Sequence, residues 1–388
     1  HASSLPVLQF ALRRFSAHAG VHFAAAHRSP EKINIRIFDQ TSIELPFSDI
    51  FSDEKIKKSK IVRSKPEKIA DILSVKQAND LYRSALSSAL GKDILKEKKF
   101  SVVLDCALGP MSEVFPNILA EIGCNVLTLN AFKPEGIPES LPSANSLSIL
   151  SRTVVAAKAD LGIAFDPSGS RAIFFDENGK IIDPQIISAI LIQNKMIGRD
   201  TGKVVLSETM WPLENWLKSI KVSTIYAHDS PGEISRTIQF HRALFGANSQ
   251  GNFIHPTISN ESEPFASTLF LLSSFARDDK HKYISTFIEQ WDILNKEDSE
   301  EKKYNLLSKA DAFFEEIYEK DMENRIINTL YGLKIIFGER KCAHIFTTII
   351  SDIVSIRVCA EKAEDRAEMM KKTLHIVESV DRDIYENK

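Results

Sequence analysis

The sequence predicts a multidomain α/β protein that ends in a small α+β unit. Three observations predict it: a strand–helix alternation over 100–183, its recurrence over 185–244, and a charged stretch followed by three short apolar runs and an amphipathic helix. The length of 388 residues agrees, since it exceeds one ordinary core and suits roughly two to four domains of about 100 residues.

Pro6 to Phe38 reads as a helix around Val7 to Phe15, a strand around Gly20 to Ala25, a tight loop through Pro30 and a strand from Asn34 to Phe38. Lys55 to Ser64 is basic, and a solvated loop or helix end is its expected role. Phe100 to Asp105, Val126 to Leu129 and Leu161 to Phe165 are apolar runs of strand length, separated by the helical spacings of Met111 to Ile122 and Ser146 to Ala157. The same rhythm returns with a helix from Gln185 through Ile192, a strand Lys203 to Ser207, a helix Trp211 to Ser219 and a strand Ser223 to Ala227. Ser230-Pro231 reads as an N-cap and first-turn proline opening a helix to Leu244, which leads to a loop Phe245 to Gly251. Arg277 to Arg325 is charged with helical period and reads as a solvated helix face or linker. Thr329 to Phe337, His344 to Ile350 and Val354 to Ala360 then read as short strands, and Ala363 to Val380 as an amphipathic helix.

Composition narrows the function classes. With 49 basic and 52 acidic residues, a net charge of −3 and both signs interspersed, no field favours nucleic acid or an anionic membrane, and neither partner is expected. No uncharged apolar stretch approaches the roughly 20 residues of a membrane-spanning helix. The four cysteines, Cys106, Cys124, Cys342 and Cys359, form no C-x-x-C pair, so reduced thiols and an intracellular, by default cytoplasmic, location are expected.

Several segments carry a family resemblance. Ala159-Asp160-Leu161-Gly162-Ile163-Ala164-Phe165-Asp166-Pro167-Ser168-Gly169-Ser170-Arg171 resembles the metal loop A-D-L-G-I-A-x-D-x-D-G-D-R of the α-D-phosphohexomutases, the phosphoglucomutase and phosphomannomutase family. Gly20 to Glu31 is similar to that family's nucleophile loop G-x-x-x-T-A-S-H-N-P-P-E, and Gly246 to Gly251 to its sugar-reading G-E-x-S-G loop. Ile356 to Glu361 resembles the strand after its phosphate loop. The resemblance implies three related α/β domains and a C-terminal α+β domain. They fall at 1–80 (domain 1), 81–183 (domain 2), 184–276 (domain 3) and 326–388 (domain 4), with 277–325 as a charged helical linker. About 60 to 80 further residues precede the matching point in that family, so domain 1 is expected to be incomplete.

The resemblance also implies a reaction: a phosphorylated serine exchanges a phosphoryl group with a sugar phosphate while Mg²⁺ steadies the charge. Ala26 stands at the serine position, and a methyl group cannot be phosphorylated. Ser29 lies three residues further on, where a rigid loop would aim it elsewhere. Asp166 remains in the metal loop, but Ser168 and Ser170 replace the other two aspartates, so little or no Mg²⁺ binding is expected, and no other cofactor. Ala247 replaces the sugar-loop glutamate while Ser249 keeps a polar position, and Asp352 falls where the family grips a phosphate.

The expectation is therefore a non-catalytic, pseudoenzyme-like protein with a structural or regulatory role, in company with a protein partner or a second copy of itself. Two alternatives stay open. One is a sugar-phosphate sensor using Arg171, Ser249 and His27. The other is a working mutase of hexose 1- and 6-phosphates that carries Mg²⁺ and is phosphorylated on a residue such as Ser29. Arg171 can hold a phosphate or pair with Asp166, and His27 can serve as acid, base or structural residue. Cys342 and His344 show no third member and read as core packing, and His241 as a lone helix-face histidine.

Overall fold

The computed structural model describes residues 3–26, 29–46, 65–68, 71–90, 95, 98–132, 142, 144–207, 210, 213–228, 232–291, 299–307, 313–314, 316, 326–329, 332–338, 341–347, 353–360 and 362–386. Lys55 to Ser64 and Thr348 to Asp352 lie outside these residues.

Helix α1 (Leu5–Arg14) carries Pro6 in its first turn, where a missing N–H costs no helical bond. Strands β1 (Ala19–Ala26) and β2 (Ser29–Asp39) follow as an antiparallel hairpin with Ala26 opposite Ser29. The expected loop through Pro30 instead belongs to β2, whose register against β1 shifts between Ala25 and Ala26, the kind of irregularity at which a strand tolerates proline.

Helix α2 (Ala78–Leu90) precedes the first α/β sheet, formed by β3 (Ser101–Asp105), β4 (Asn125–Leu129), β5 (Leu161–Phe165), β6 (Ala172–Phe175) and β7 (Ile181–Ile182). Their order is β4-β3-β5-β6-β7; β3 runs parallel to β4 and β5, and β6 returns antiparallel to β5. Helices α3 (Phe115–Glu121) and α4 (Ala144–Ala157) make the crossovers. All of β5 is buried, which explains its unbroken apolar run.

Helix α5 (Pro184–Met196) leads to β8 (Gly202–Ser207), α6 (Glu214–Ser219), β9 (Val222–Ala227), α7 (Glu233–His241), β10 (Phe245–Ala247) and β11 (Phe253–Ile254). The order β9-β8-β10-β11 repeats β4-β3-β5-β6, with parallel partners on both sides of the first strand and an antiparallel return. The connections β5–β6 and β10–β11 are therefore equivalent. Ser230 and Pro231 lie outside the described residues, and helix α7 ends before the expected Leu244, at Arg242, whose left-handed φ of 51 closes it. The expected loop from Phe245 begins as strand β10, whose three residues are all buried.

Helix α8 (Pro264–Ala276) is apolar on nearly every side and lies buried in the core shared by the two sheets. Its Phe265 stacks on Phe115 at 4.4 Å and meets Phe165 edge-on at 5.2 Å. Such contacts contribute about 0.5–1.5 kcal/mol each beyond area burial. They fix the end of β5, from which the candidate loop departs.

The stretch 277–325 is not helical throughout. Helix α9 (Ile284–Glu289) is followed by strand β12 (Ser299–Asn305), which pairs along its whole length with β16 (Ile353–Cys359). An edge strand tolerates, and is protected by, lysines such as Lys302 and Lys303, so a charge-rich composition concealed it. The C-terminal sheet has the order β12-β16-β15-β14-β13, with β13 (Ile326–Thr329), β14 (Gly332–Gly338) and β15 (Lys341–Thr347), and helix α10 (Ala363–Glu386) covers one face. Ala343, Ile345, Val354, Ile356 and Val358 pack there against Met369, Met370, Val377 and Val380.

The alternating residues Cys342, His344, Phe346, Ser355, Arg357 and Cys359 occupy the opposite face. Cys342 and His344 are therefore not packed into the α10 core, and Cys342 pairs directly across from Cys359, the third member that linear spacing did not reveal. No described helix is long and apolar enough to cross a membrane.

Candidate functional site

The loop between β5 and β6 is built around Asp166, which is fully buried. Its Oδ1 accepts the backbone N–H groups of Ser170 and Arg171, each at 2.6 Å. Its Oδ2 accepts the hydroxyls of Ser168 at 2.5 Å and Ser170 at 3.1 Å. The two hydroxyls lie 2.9 Å apart. A carboxylate offers about four lone-pair sites, and this loop fills that number from within itself. Gly169 turns the loop at φ +70, a left-handed conformation that glycine adopts without a Cβ clash.

Three neighbours hold the loop. The Leu5 N–H at the start of α1 donates to the Ser168 carbonyl at 2.8 Å. The turn after β3 supplies Gly109, where a Cβ would lie 2.4 Å from the Pro167 carbonyl oxygen. That turn is set by buried Asp105, which accepts from the Ala107 N–H at 3.0 Å and the Asn130 amide at 2.9 Å. Burial pushes the Asp105 carboxyl up, and these hydrogen bonds partly restore it.

The third neighbour is the equivalent loop of the second α/β module. A Cβ on Gly251, at φ +78, would lie 2.5 Å from the Ala172 carbonyl oxygen, and Ala172 donates its N–H to the Gly251 carbonyl at 3.4 Å. Asn248 shapes this loop by accepting from the N–H groups of Gln250 at 3.0 Å and Asn252 at 3.2 Å. The fold thus brings together two loops that lie some 80 residues apart in the chain.

A cavity of about 210 Å³ opens beside them. Ser249, Gln250 and Gly251 line it from one side, Ala172 and Asp183 from another, and Lys303, Phe346, Ser355 and Arg357 from the C-terminal sheet. The Gln250 Oε1 is buried without a hydrogen-bond partner among the described residues.

Of the residues singled out in the sequence, Asp166, Ser168, Ser170 and Arg171 fall in one buried loop and Ser249 in the adjoining cavity. Arg171 meets Asp166 through its backbone N–H, and its side chain is 5% exposed. Ala247 is a fully buried β10 residue. Ala26 ends β1 opposite Ser29, whereas His27 lies outside the described residues. Sequence reasoning passed over Gln250, Lys303 and Arg357. Their polar side chains carried a signal, but it becomes informative only when β12 pairs with β16.

Comparison with known proteins follows the same outline. A family model described as phosphoglucomutase/phosphomannomutase, alpha/beta/alpha domain II, matches residues 80–179. A Pyrococcus abyssi protein under the name phosphoglucosamine mutase is 28% identical over 260 residues, which is 65% of this chain and 55% of that protein. Another phosphoglucosamine mutase, from Aliarcobacter butzleri, is 27% identical over 289 residues, 71% of this chain and 63% of its own length. The matched region thus spans less than two thirds of either relative.

Among solved structures, a phosphoglucomutase/phosphomannomutase family protein from Burkholderia thailandensis superposes with a TM-score of 0.67 at 14% identity, covering 97% of this chain and 81% of that one. Aspergillus fumigatus N-acetylphosphoglucosamine mutase, in complex with GlcNAc-6P and magnesium, gives 0.55 at 12% identity over 97% of this chain and 92% of that one. At such identities the structural likeness establishes the fold.

Proposed function

Because the chain belongs to the α-D-phosphohexomutase family, we propose that it is a non-catalytic member with a structural or regulatory role. The observation that carries this reading is the closure of Asp166 by its own loop. Mg²⁺ needs near-octahedral oxygen ligands and is usually held by carboxylates. Here one carboxylate remains, and its acceptor sites are already taken by two backbone N–H groups and the two hydroxyls beside it. That donor set does not fit the ion the family would bring.

The nucleophile position supports the same reading from the sequence side. Covalent phosphoryl transfer needs an acceptor oxygen on the protein, and Ala26 supplies none. The reading is tested by titrating the chain with Mg²⁺ in a calorimeter. It expects no saturable heat; saturable binding that disappears in Asp166→Asn would contradict it.

The cavity favours a second reading, retention of a phosphorylated hexose or hexosamine as a signal rather than a substrate. Lys303 and Arg357 supply cationic groups at its wall, and Ser249 with the unpartnered Gln250 Oε1 supplies polar ones. On this reading glucose 1,6-bisphosphate binds without Mg²⁺, and Ser249→Ala with Lys303→Ala weakens it at least tenfold. Affinity unchanged in that double variant would remove this reading.

A further inference from the structure

The face of the C-terminal sheet turned away from α10 carries a cluster that neither the catalytic nor the sensor reading uses. Cys342, His344 and Cys359 place one potential ligand atom each within 4.8 Å of the other two. The register explains why. Cys342 and His344 are two residues apart on β15, so both project from one face, and Cys359 of β16 is the direct cross-strand partner of Cys342. We infer that these three side chains form a binding site for a thiophilic divalent cation of the zinc class.

The geometry fits such an ion without rearranging the strands. A tetrahedral zinc ion at ~2.3 Å from sulfur and ~2.0–2.1 Å from nitrogen holds those two atoms about 3.5 Å apart. The Cys342 Sγ to His344 Nε2 separation is 3.5 Å. Two thiolates balance the charge of a dication, so the bound site is neutral in a largely dry setting: His344 is 4% exposed and Cys359 7%. Cys342 is the partly exposed member, which gives the ion a route in and leaves a fourth position to water. Thiolate and imidazole ligands select zinc-class ions over Mg²⁺, so this site and the Asp166 loop answer to different chemistry.

The cluster adjoins the cavity along the same sheet face: Arg357, at the cavity wall, is the cross-strand partner of His344 and lies two residues from Cys359. The remaining cysteines provide an internal contrast: burial pushes the Cys106 thiol up to about 12 and the Cys124 thiol up to about 11, and neither belongs to such a group among the described residues. An ion bound at the cluster would tie β15 to β16 and so stabilise the sheet that forms one wall of the cavity.

The test uses the intact chain, stripped of metal and kept reduced with a phosphine, and titrated with Co²⁺. The expected result is a thiolate-to-cobalt charge-transfer band with visible tetrahedral d–d bands saturating at one equivalent, then displaced by one equivalent of Zn²⁺. Cys342→Ser and Cys359→Ser each lose the charge-transfer intensity of one sulfur and weaken Zn²⁺ binding, read by competition with a chromogenic chelator. The weakening exceeds the roughly 100-fold that loss of an outer partner costs a metal site. Cys124→Ser leaves the spectrum unchanged. Absence of the charge-transfer band in the reduced wild-type chain overturns the inference, whatever the variants do. So does a band that persists undiminished in both cluster variants. A Cys342–Cys359 disulfide that resists the phosphine, found by thiol counting, overturns it as well.

Discussion

The Ser168 hydroxyl donates to the Asp166 carboxylate across 2.5 Å, inside a loop where Ser170 and two backbone N–H groups meet the same carboxylate. With serine at these two positions, the one carboxylate of the loop takes its hydrogen bonds from within the loop. Close backbone approaches at Gly109 and at Gly251 hold the loop in place.

Restoring the acidic loop should restore cation dependence. Ser168→Asp with Ser170→Asp places two further carboxylates beside Asp166, and their repulsion lowers stability in the absence of Mg²⁺. The double variant should then gain about 2.7 kcal/mol when Mg²⁺ reaches roughly 100 times its Kd, whereas the parent chain gains nothing measurable. Thermal melts across a Mg²⁺ series give the answer; equal behaviour of the two proteins would show that the loop is not the determinant.

Contact between the two equivalent loops depends on Gly251. An alanine there is strained by φ +78 and meets the Ala172 carbonyl oxygen at 2.5 Å. Gly251→Ala should cost about 1–3 kcal/mol in urea denaturation, with the m-value unchanged. A neutral result would mean that the loops separate at no cost.

How much of this was legible in the chain depends on whether its parts are contiguous. Asp166, Ser168, Ser170 and Arg171 sit within six residues after an apolar run of strand length, and their resemblance to a known metal loop indicated a loop at a strand end. The repeated α/β rhythm was legible too, because apolar runs of strand length alternate with helical spacing. Lys303 was hidden, since an edge strand rich in lysine and glutamate has the composition of a solvated helix. Arg357 and Cys359 were hidden for a different reason. Their meaning arises from cross-strand register, which pairs Cys359 with Cys342 and which no linear spacing encodes.

Glu263 should set a pH dependence of stability. It is buried at the start of α8, where it accepts the Tyr82 hydroxyl at 2.8 Å, and burial raises its carboxyl from 4.5 to about 7. The folded state therefore holds a proton that the unfolded state has released. The associated stability is complete below 4.5 and is lost as pH rises through about 7. Glu263→Gln removes this dependence, so the difference between variant and parent should move by roughly 3 kcal/mol in the variant's favour across that window. Denaturant titrations at several pH values measure it, and a constant difference would contradict the assignment.

The aromatic contact beneath the loop should be among the most sensitive positions. Phe265 is fully buried against Phe115 and Phe165, and Phe265→Ala should cost about 3–5 kcal/mol. A loss under ~1 kcal/mol, read from the urea midpoint, would mean that the core collapses around the gap far more completely than close-packed interiors do.

The proposed absence of turnover is tested by a coupled assay of hexose 1-phosphate to 6-phosphate conversion, run with glucose and glucosamine phosphates, Mg²⁺ and glucose 1,6-bisphosphate over a series of protein concentrations. The proposal expects a rate indistinguishable from the protein-free control at every concentration. A rate that rises in proportion to the protein, and is lost in Asp166→Asn, would contradict it.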